Sequence, residues 1–176
     1  MIVDWRGWTR GQWAARSIVV AGSLLALFAR TPSLGAPRPW IVAMVVALAV
    51  GWALFPESVV GAVTLLAVGF SWASSDVTEV PVAALAAALG MLAAHLAATV
   101  VSYGPARLPV DPGVTRLWAQ RGAAVFGAAV LVWALARTVA ELPDSGSVWV
   151  LGLVVTLSVV VVAAAAIQAA NPREDG

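Results

Sequence analysis

The chain has no cysteine and no lysine, and it carries one histidine among its 176 residues. Without cysteine there is no disulfide, no thiolate nucleophile and no cysteine-ligated metal ion or cluster. A metal site built on the single histidine would need carboxylates close to it, and the apolar run that holds the histidine contains none. No glycine-rich phosphate-binding motif is present either. We therefore expect a protein that binds no cofactor and is not an enzyme.

Charged residues are also scarce. They make up 11% of the chain, hydrophobic residues make up 61%, and the mean hydropathy is +0.93. A soluble domain carries about a quarter charged residues. The net charge of +1 provides no basic field for a nucleic acid. The composition therefore predicts an all-α integral membrane protein whose main partner is the lipid bilayer.

All ten basic residues are arginine. Together with the excess of alanine and valine, this pattern is typical of translation from GC-rich codons and favours a bacterial source. We therefore expect a multi-pass protein of the bacterial plasma membrane.

Six apolar runs, separated by loops that contain proline, glycine or acidic residues, predict one membrane domain built as a bundle of six transmembrane helices. The predicted spans are 13–28, 39–55, 58–73, 81–103, 117–139 and 148–170. The first three are short for a hydrocarbon core that is about 30 Å thick. Pro56 and Glu57 predict a tight turn, so the second and third spans either cross fully or form a re-entrant hairpin.

The first span follows a short basic lead, which is also typical of a signal peptide. The nearest small-residue cleavage site is Leu34-Gly35-Ala36, and Pro37 directly after it disfavours cleavage. We therefore expect the first span to be retained.

The fourth span, 81–103, has three faces at 100° per residue. Small residues form one stripe, which predicts close contact with another helix backbone: Ala83, Ala87, Gly90, Ala94 and Ala98. Bulky residues form a second stripe, which is suited to lipid: Leu85, Leu89, Leu92, Leu96 and Val100. The third face is polar. We expect the other apolar segments to pack around this span.

The polar face of the fourth span is the candidate functional site. It holds His95, Thr99 and Ser102, and Thr64 of the third span lies at a similar depth. A histidine within a membrane indicates a proton-responsive or ligand-contacting group. The alternative is a neutral imidazole that hydrogen-bonds to a neighbouring helix, worth about 0.6–2 kcal/mol, and the lack of an acidic partner favours it. A Ser71–His95 catalytic pair is excluded, because helix rise separates the two by about 20 Å.

Two functions fit these features. The first is an accessory or scaffold subunit that acts through helix contacts with other membrane proteins or with a second copy. The alternative is a small secondary transporter or oligomeric channel built on a 3+3 inverted repeat. The repeat is indicated by echoes such as Arg38-Pro39-Trp40 with Arg116-Leu117-Trp118, and it predicts a wet cavity beside His95.

Arginine distribution predicts the orientation of the six spans. Seven of the ten arginines fall on the side that holds both termini, and three fall on the other side. Short cytoplasmic loops are enriched in basic residues, so both termini are predicted to be cytoplasmic.

Reporter fusions test this orientation. Green fluorescent protein at the carboxyl terminus is expected to fluoresce, and alkaline phosphatase there to be inactive, because that end lies in the cytoplasm. Alkaline phosphatase fused within loop 141–146 serves as the control and is expected to be active. The reverse pattern of activities would contradict the predicted orientation.

Overall fold

The computed structural model of the protein describes residues 7–74, 81–103 and 111–140, together with 152–154 and 157. This part of the chain contains helices, turns and no strand, which confirms the all-α prediction. Its helices are α1 (Arg10–Phe28), α2 (Thr31–Leu34), α3 (Pro39–Leu54), α4 (Val60–Ala73), α5 (Ala83–Ser102) and α6 (Pro112–Ala140). Helix α2 is a single turn, and the other five are long.

The five long helices occupy the chain positions of the first five predicted spans. The largest difference is at α6, which begins at Pro112 rather than at 117. Proline is well placed in a first turn, where its missing N–H has no helical partner to lose, and Asp111 Oδ1 accepts the Gly113 N–H at 2.6 Å. The predicted start at residue 117 follows from the apolar run alone, so it misses this polar first turn.

The sixth predicted span, 148–170, lies largely outside the described residues, although 152–154 and 157 are helical. By its internal contacts the chain divides into two compact units, 1–133 and 134–176. The single-domain arrangement with six crossings stays a prediction.

Three stretches are long and apolar enough to span a membrane: Arg10–Leu34, Ala83–Ser102 and Pro112–Thr138. Helices α3 and α4 are shorter apolar helices of 16 and 14 residues. At 1.5 Å per residue they are about 24 and 21 Å long, which is less than the roughly 30 Å of a hydrocarbon core.

Helices α3 and α4 form an antiparallel hairpin. The chain reverses at the turn around Pro56, where the Ser58 hydroxyl donates to the Phe55 carbonyl at 2.6 Å. The indole of Trp52 lies directly over Gly61, in the space that a side chain at that position would fill. The break between the second and third predicted spans therefore lies where the sequence places it.

Helices α1 and α5 are antiparallel and touch through their backbones. A Cβ atom added to Gly22 would lie 2.5 Å from the Gly90 carbonyl oxygen, and one added to Gly90 would lie 2.5 Å from the Gly22 oxygen. The small residues of α5 that bury against this contact include Ala87, Ala94 and Ala98. The predicted small-residue stripe is therefore confirmed over these positions, whereas Ala83 at its start is only half-buried.

The helix at the centre of the packing is α1 rather than α5, so the sequence expectation is wrong on this point. Helix α1 packs against α5, α3 and α4. Its residue Val19 lies in one apolar cluster with Trp52 and Ala94, and Ala26 lies in another with Val45 and Val68. The physical reason is that α1 buries residues on several sides, including polar ones, whereas α5 offers one small face.

The leucine stripe of α5 is partly covered by another helix. The side chain of Leu96 packs onto Gly122 of α6, in the space where a Cβ would lie. Nearby, the rings of Tyr103 and Trp118 lie 5.9 Å apart. One member of the stripe expected to face lipid therefore contacts another helix.

Two glycine substitutions of opposite effect test the α1–α5 contact. Gly22→Ala is expected to lower the free energy of unfolding by about 1–3 kcal/mol, because the added methyl meets backbone atoms that cannot move aside. Gly69→Ala is the control, since nothing lies within 4 Å of a Cβ there. It is expected to raise the free energy by about 0.5–1 kcal/mol through helix propensity. Unfolding in detergent, followed by circular dichroism, measures both, and equal effects would contradict the close contact.

Candidate functional site

The predicted polar site is placed on two helices. His95 is exposed on α5, while Thr64 is fully buried on α4. The Thr99 hydroxyl donates to the His95 carbonyl at 2.8 Å, and the Ser102 hydroxyl donates to the Thr99 carbonyl at 2.7 Å. The Thr64 hydroxyl likewise donates to the Val60 carbonyl at 2.7 Å. All three hydroxyl groups are therefore paired with backbone carbonyls of their own helices.

Helical spacing brings His95, Thr99 and Ser102 to one side of α5, as the sequence requires. The hydrogen bonds above do not connect them to Thr64. The assignment of this group as either a functional site or a packing contact stays a prediction.

Among the described residues, Arg16 of α1 is the most deeply buried charged residue, with 9% of its surface exposed. Its Nη1 donates to the Ala53 carbonyl and, at 3.4 Å, to the Leu54 carbonyl. Both acceptors belong to the last turn of α3, where carbonyls have no intrahelical N–H partner. Pro56 has no N–H and cannot extend the ladder. The guanidinium of Arg16 therefore caps the carboxyl end of α3.

The surroundings of Arg16 suit a cation. The carboxyl end of a helix carries a partial negative charge, which a nearby cation stabilises by about 0.3–2 kcal/mol. The Arg16 Cζ atom lies 4.1 Å from the ring centre of Trp8, a cation–π geometry. Trp8 is in turn held edge-to-face against Trp13, with ring centres 4.8 Å apart.

Arg30, in the turn directly after α1, caps the carboxyl end of α4 in the same way. Its Nη1 donates to the Ser71 carbonyl and to the Ser71 hydroxyl oxygen, each at 2.7 Å. Beside it, the Trp72 indole N–H donates to the Ala26 carbonyl at 3.0 Å. The fourteen-residue separation of the two arginines corresponds to about 20 Å along a helix. Arg16 of α1 and Arg30, two residues after α1 ends, thus bind the carboxyl ends of both hairpin helices.

Three buried polar atoms near these arginines have no hydrogen-bond partner in the described structure. They are Nε of Arg16, Nε of Arg30 and the side-chain oxygen of Gln12. Gln12 is only 2% exposed and lies one helical turn before Arg16. Since a guanidinium has five N–H groups, the carbonyls that each arginine caps do not use all of its donors.

Each arginine lines a cleft. The cleft at Arg16 lies between α1 and α3 and has a volume of about 430 Å³; Trp8 and Trp13 stand at its charged end. The cleft at Arg30 has a volume of about 720 Å³ and is lined by Arg38, Ser33 and Ser74 as well. No acidic side chain is among the described residues that line the two clefts, and His95 lines neither.

Sequence reasoning missed both arginines as structural centres, because it counted Arg16 only toward the charge of the amino-terminal side and placed Arg30 in the loop after the first span. The available signal was the position of Arg16, which lies inside the apolar run 13–28. An ionisable residue within such a run is expected to have a specific partner. The identity of that partner, the end of α3, depends on tertiary packing.

Together these features define an all-helical protein that has three apolar helices of membrane-spanning length and two arginines as its polar centres. Among the residues that the structure describes, no three His, Cys, Asp or Glu side chains are grouped to hold a metal ion. Comparison of the chain with protein-family models, with curated proteins and with solved structures finds no match.

Removal of the Arg16 cap tests its structural role. Arg16→Met keeps the length of the side chain but leaves the Ala53 and Leu54 carbonyls unpaired, so the free energy of unfolding is expected to fall by about 2–3 kcal/mol. Arg16→Lys is expected to lose less, because its ammonium group retains the positive charge and can still donate hydrogen bonds. The control is Arg10→Met at the exposed start of α1. A loss from Arg10→Met as large as that from Arg16→Met would contradict the capping role.

Proposed function

We propose that this chain is a multi-pass protein of the bacterial plasma membrane with both termini in the cytoplasm. Within that membrane it acts as a non-enzymatic accessory or scaffold subunit, through helix contacts with other membrane proteins or a second copy. The observation that carries the proposal is the surface of α6.

Helix α6 is the longest helix described, with 29 residues. Only 6% of its most apolar stretch of 18 residues is buried, against 33% for α5. Leu131 and Val125 on α6 are 67% and 57% exposed. This helix therefore has a large apolar surface that the other described helices leave uncovered and that suits contacts in the plane of a membrane.

The residues of α6 also suit close helix association. Ala123 and Gly127 are exposed and four residues apart, so they lie on one face. A Cβ added to Gly127 would meet nothing within 4 Å. The α1–α5 contact, in which Gly22 lies against Gly90, shows how small residues in this chain permit backbone contact. We expect α6 to use Ala123 and Gly127 in the same way toward a partner helix.

The absence of a catalytic constellation in the sequence supports a role in assembly over one in catalysis. No cofactor is required for such a role, because helix association in a membrane is driven by packing and interhelical hydrogen bonds.

The experiment is a measurement of complex size. The full chain, purified from native membranes in a mild nonionic detergent, is expected to elute in a complex whose protein mass exceeds the 18.0 kDa of one chain. Gly127→Leu is expected to weaken that complex at least tenfold, equivalent to about 1.4 kcal/mol. The substitution fills the small-residue face while increasing helix propensity. Light scattering of the eluted protein gives the mass.

Ala136→Leu is the matched control, because nine residues along a helix turn the side chain to the opposite face. It is exposed and is expected to leave the complex intact. A wild-type mass of one chain at all concentrations would contradict the proposal. So would solute movement across liposomes that contain only the purified protein, since that result is the property of a transporter or channel.

A further inference from the structure

The cleft between α1 and α3 combines a charged end with an apolar wall. We infer that it binds one anionic phospholipid, with the phosphate at Arg16 and one acyl chain along Val20, Ala21 and Leu24. The inference rests on the membrane location proposed above and adds a specific ligand to it.

The dimensions of the cleft fit a single lipid tail. Its volume of about 430 Å³ lies within the range of small-ligand sites. Along α1 its lining runs from Trp13 to Leu24, which is about 16 Å by helix rise. One leaflet of a hydrocarbon core is about 15 Å deep. The cleft therefore extends over the depth that one acyl chain occupies.

The charge at one end calls for an anion. Of the described residues that line the cleft, Arg16 alone is charged. Its described hydrogen bonds to the end of α3 involve Nη1, and a guanidinium has further N–H groups on its other terminal nitrogen. Carbonyl groups are dipoles and do not neutralise a full positive charge. A phosphate group at this end would supply both a counter-charge and an acceptor.

The tryptophans place the charged end at the level of lipid headgroups. Indole rings favour the boundary between water and hydrocarbon, and Trp8 and Trp13 stand beside Arg16. The amino-terminal side of α1 is also the predicted cytoplasmic side, where basic groups meet anionic headgroups. The apolar wall then points toward the middle of the membrane.

The lining also discriminates among possible ligands. A soluble anion would bind at Arg16 but would make no contact with the apolar wall of Val20, Leu24 and Val50. A zwitterionic lipid would bring a second positive charge toward Arg16. An anionic phospholipid satisfies both ends of the cleft.

Thermal unfolding in mixed micelles tests the inference. The purified full chain in a nonionic detergent receives phosphatidylglycerol or phosphatidylcholine with identical acyl chains. Phosphatidylglycerol is expected to raise the unfolding midpoint by about 5 °C, as for a ligand well above its dissociation constant. Phosphatidylcholine is expected to give a small fraction of that shift.

Two variants locate the effect. Ala21→Phe places a ring in the acyl path without changing Arg16, and it is expected to abolish the shift with phosphatidylglycerol. Val50→Phe fills the cleft from the α3 side and serves as a second variant if Ala21→Phe folds poorly. The control is Ala47→Phe, which is exposed on α3 outside the cleft and is expected to retain the shift.

Three results would overturn the inference: equal shifts with the two lipids, a full shift with glycerol phosphate alone, or a full shift in Ala21→Phe and Val50→Phe. Two further measurements, carbonate extraction and elution size, distinguish a failure of the proposed function from a failure of this inference. A chain that stays in carbonate-washed membranes but elutes as a monomer contradicts only the scaffold role, whereas one released by carbonate overturns both proposals.

Discussion

A helix that ends in apolar surroundings leaves carbonyl groups without N–H partners, and each unpaired group costs free energy. The hairpin of α3 and α4 raises this problem twice, because both helices are short and their carboxyl ends face opposite ways. Arg16 of α1 and Arg30, in the turn directly after α1, satisfy these ends by donating to the Ala53 and Ser71 carbonyls. The central position of α1 follows from this arrangement. It is the element that reaches both ends of the hairpin and still has a free side for α5.

The side of α1 that does not face the hairpin packs against α5 through a contact of a different kind. Gly22 and Gly90 let the backbones of α1 and α5 meet, so dispersion between closely packed atoms replaces hydrogen bonding as the source of attraction. Ser23 and Thr64 are buried nearby and donate to carbonyls of their own helices, Val19 and Val60. Helix α1 thus uses charged groups toward the hairpin and small apolar groups toward α5, and the two kinds of contact do not compete for the same face.

Much of this fold could be predicted from the sequence, because apolar run length and proline position are local signals. These signals predict the five long helices, the break at Pro56 and the small-residue stripe of α5 that contains Gly90. The centre of the fold could not be predicted in the same way. The sequence singles out His95 as a lone ionisable residue, yet it is exposed, whereas Arg16, which lies inside the first predicted span and has no predicted role there, is 9% exposed. Its partners are backbone carbonyls 37 and 38 residues away, and backbone groups have no residue-specific signature in a sequence.

The two caps also constrain how α1 can move. Arg16 and Arg30 fix α1 to the hairpin at two points about 20 Å apart, and the two points lie at opposite ends of the same helix pair. A displacement of α1 along its own axis by one turn, about 5.4 Å, would break both sets of hydrogen bonds together. The two sets of hydrogen bonds therefore fix the axial register of α1 against the hairpin jointly, since a one-turn displacement removes both.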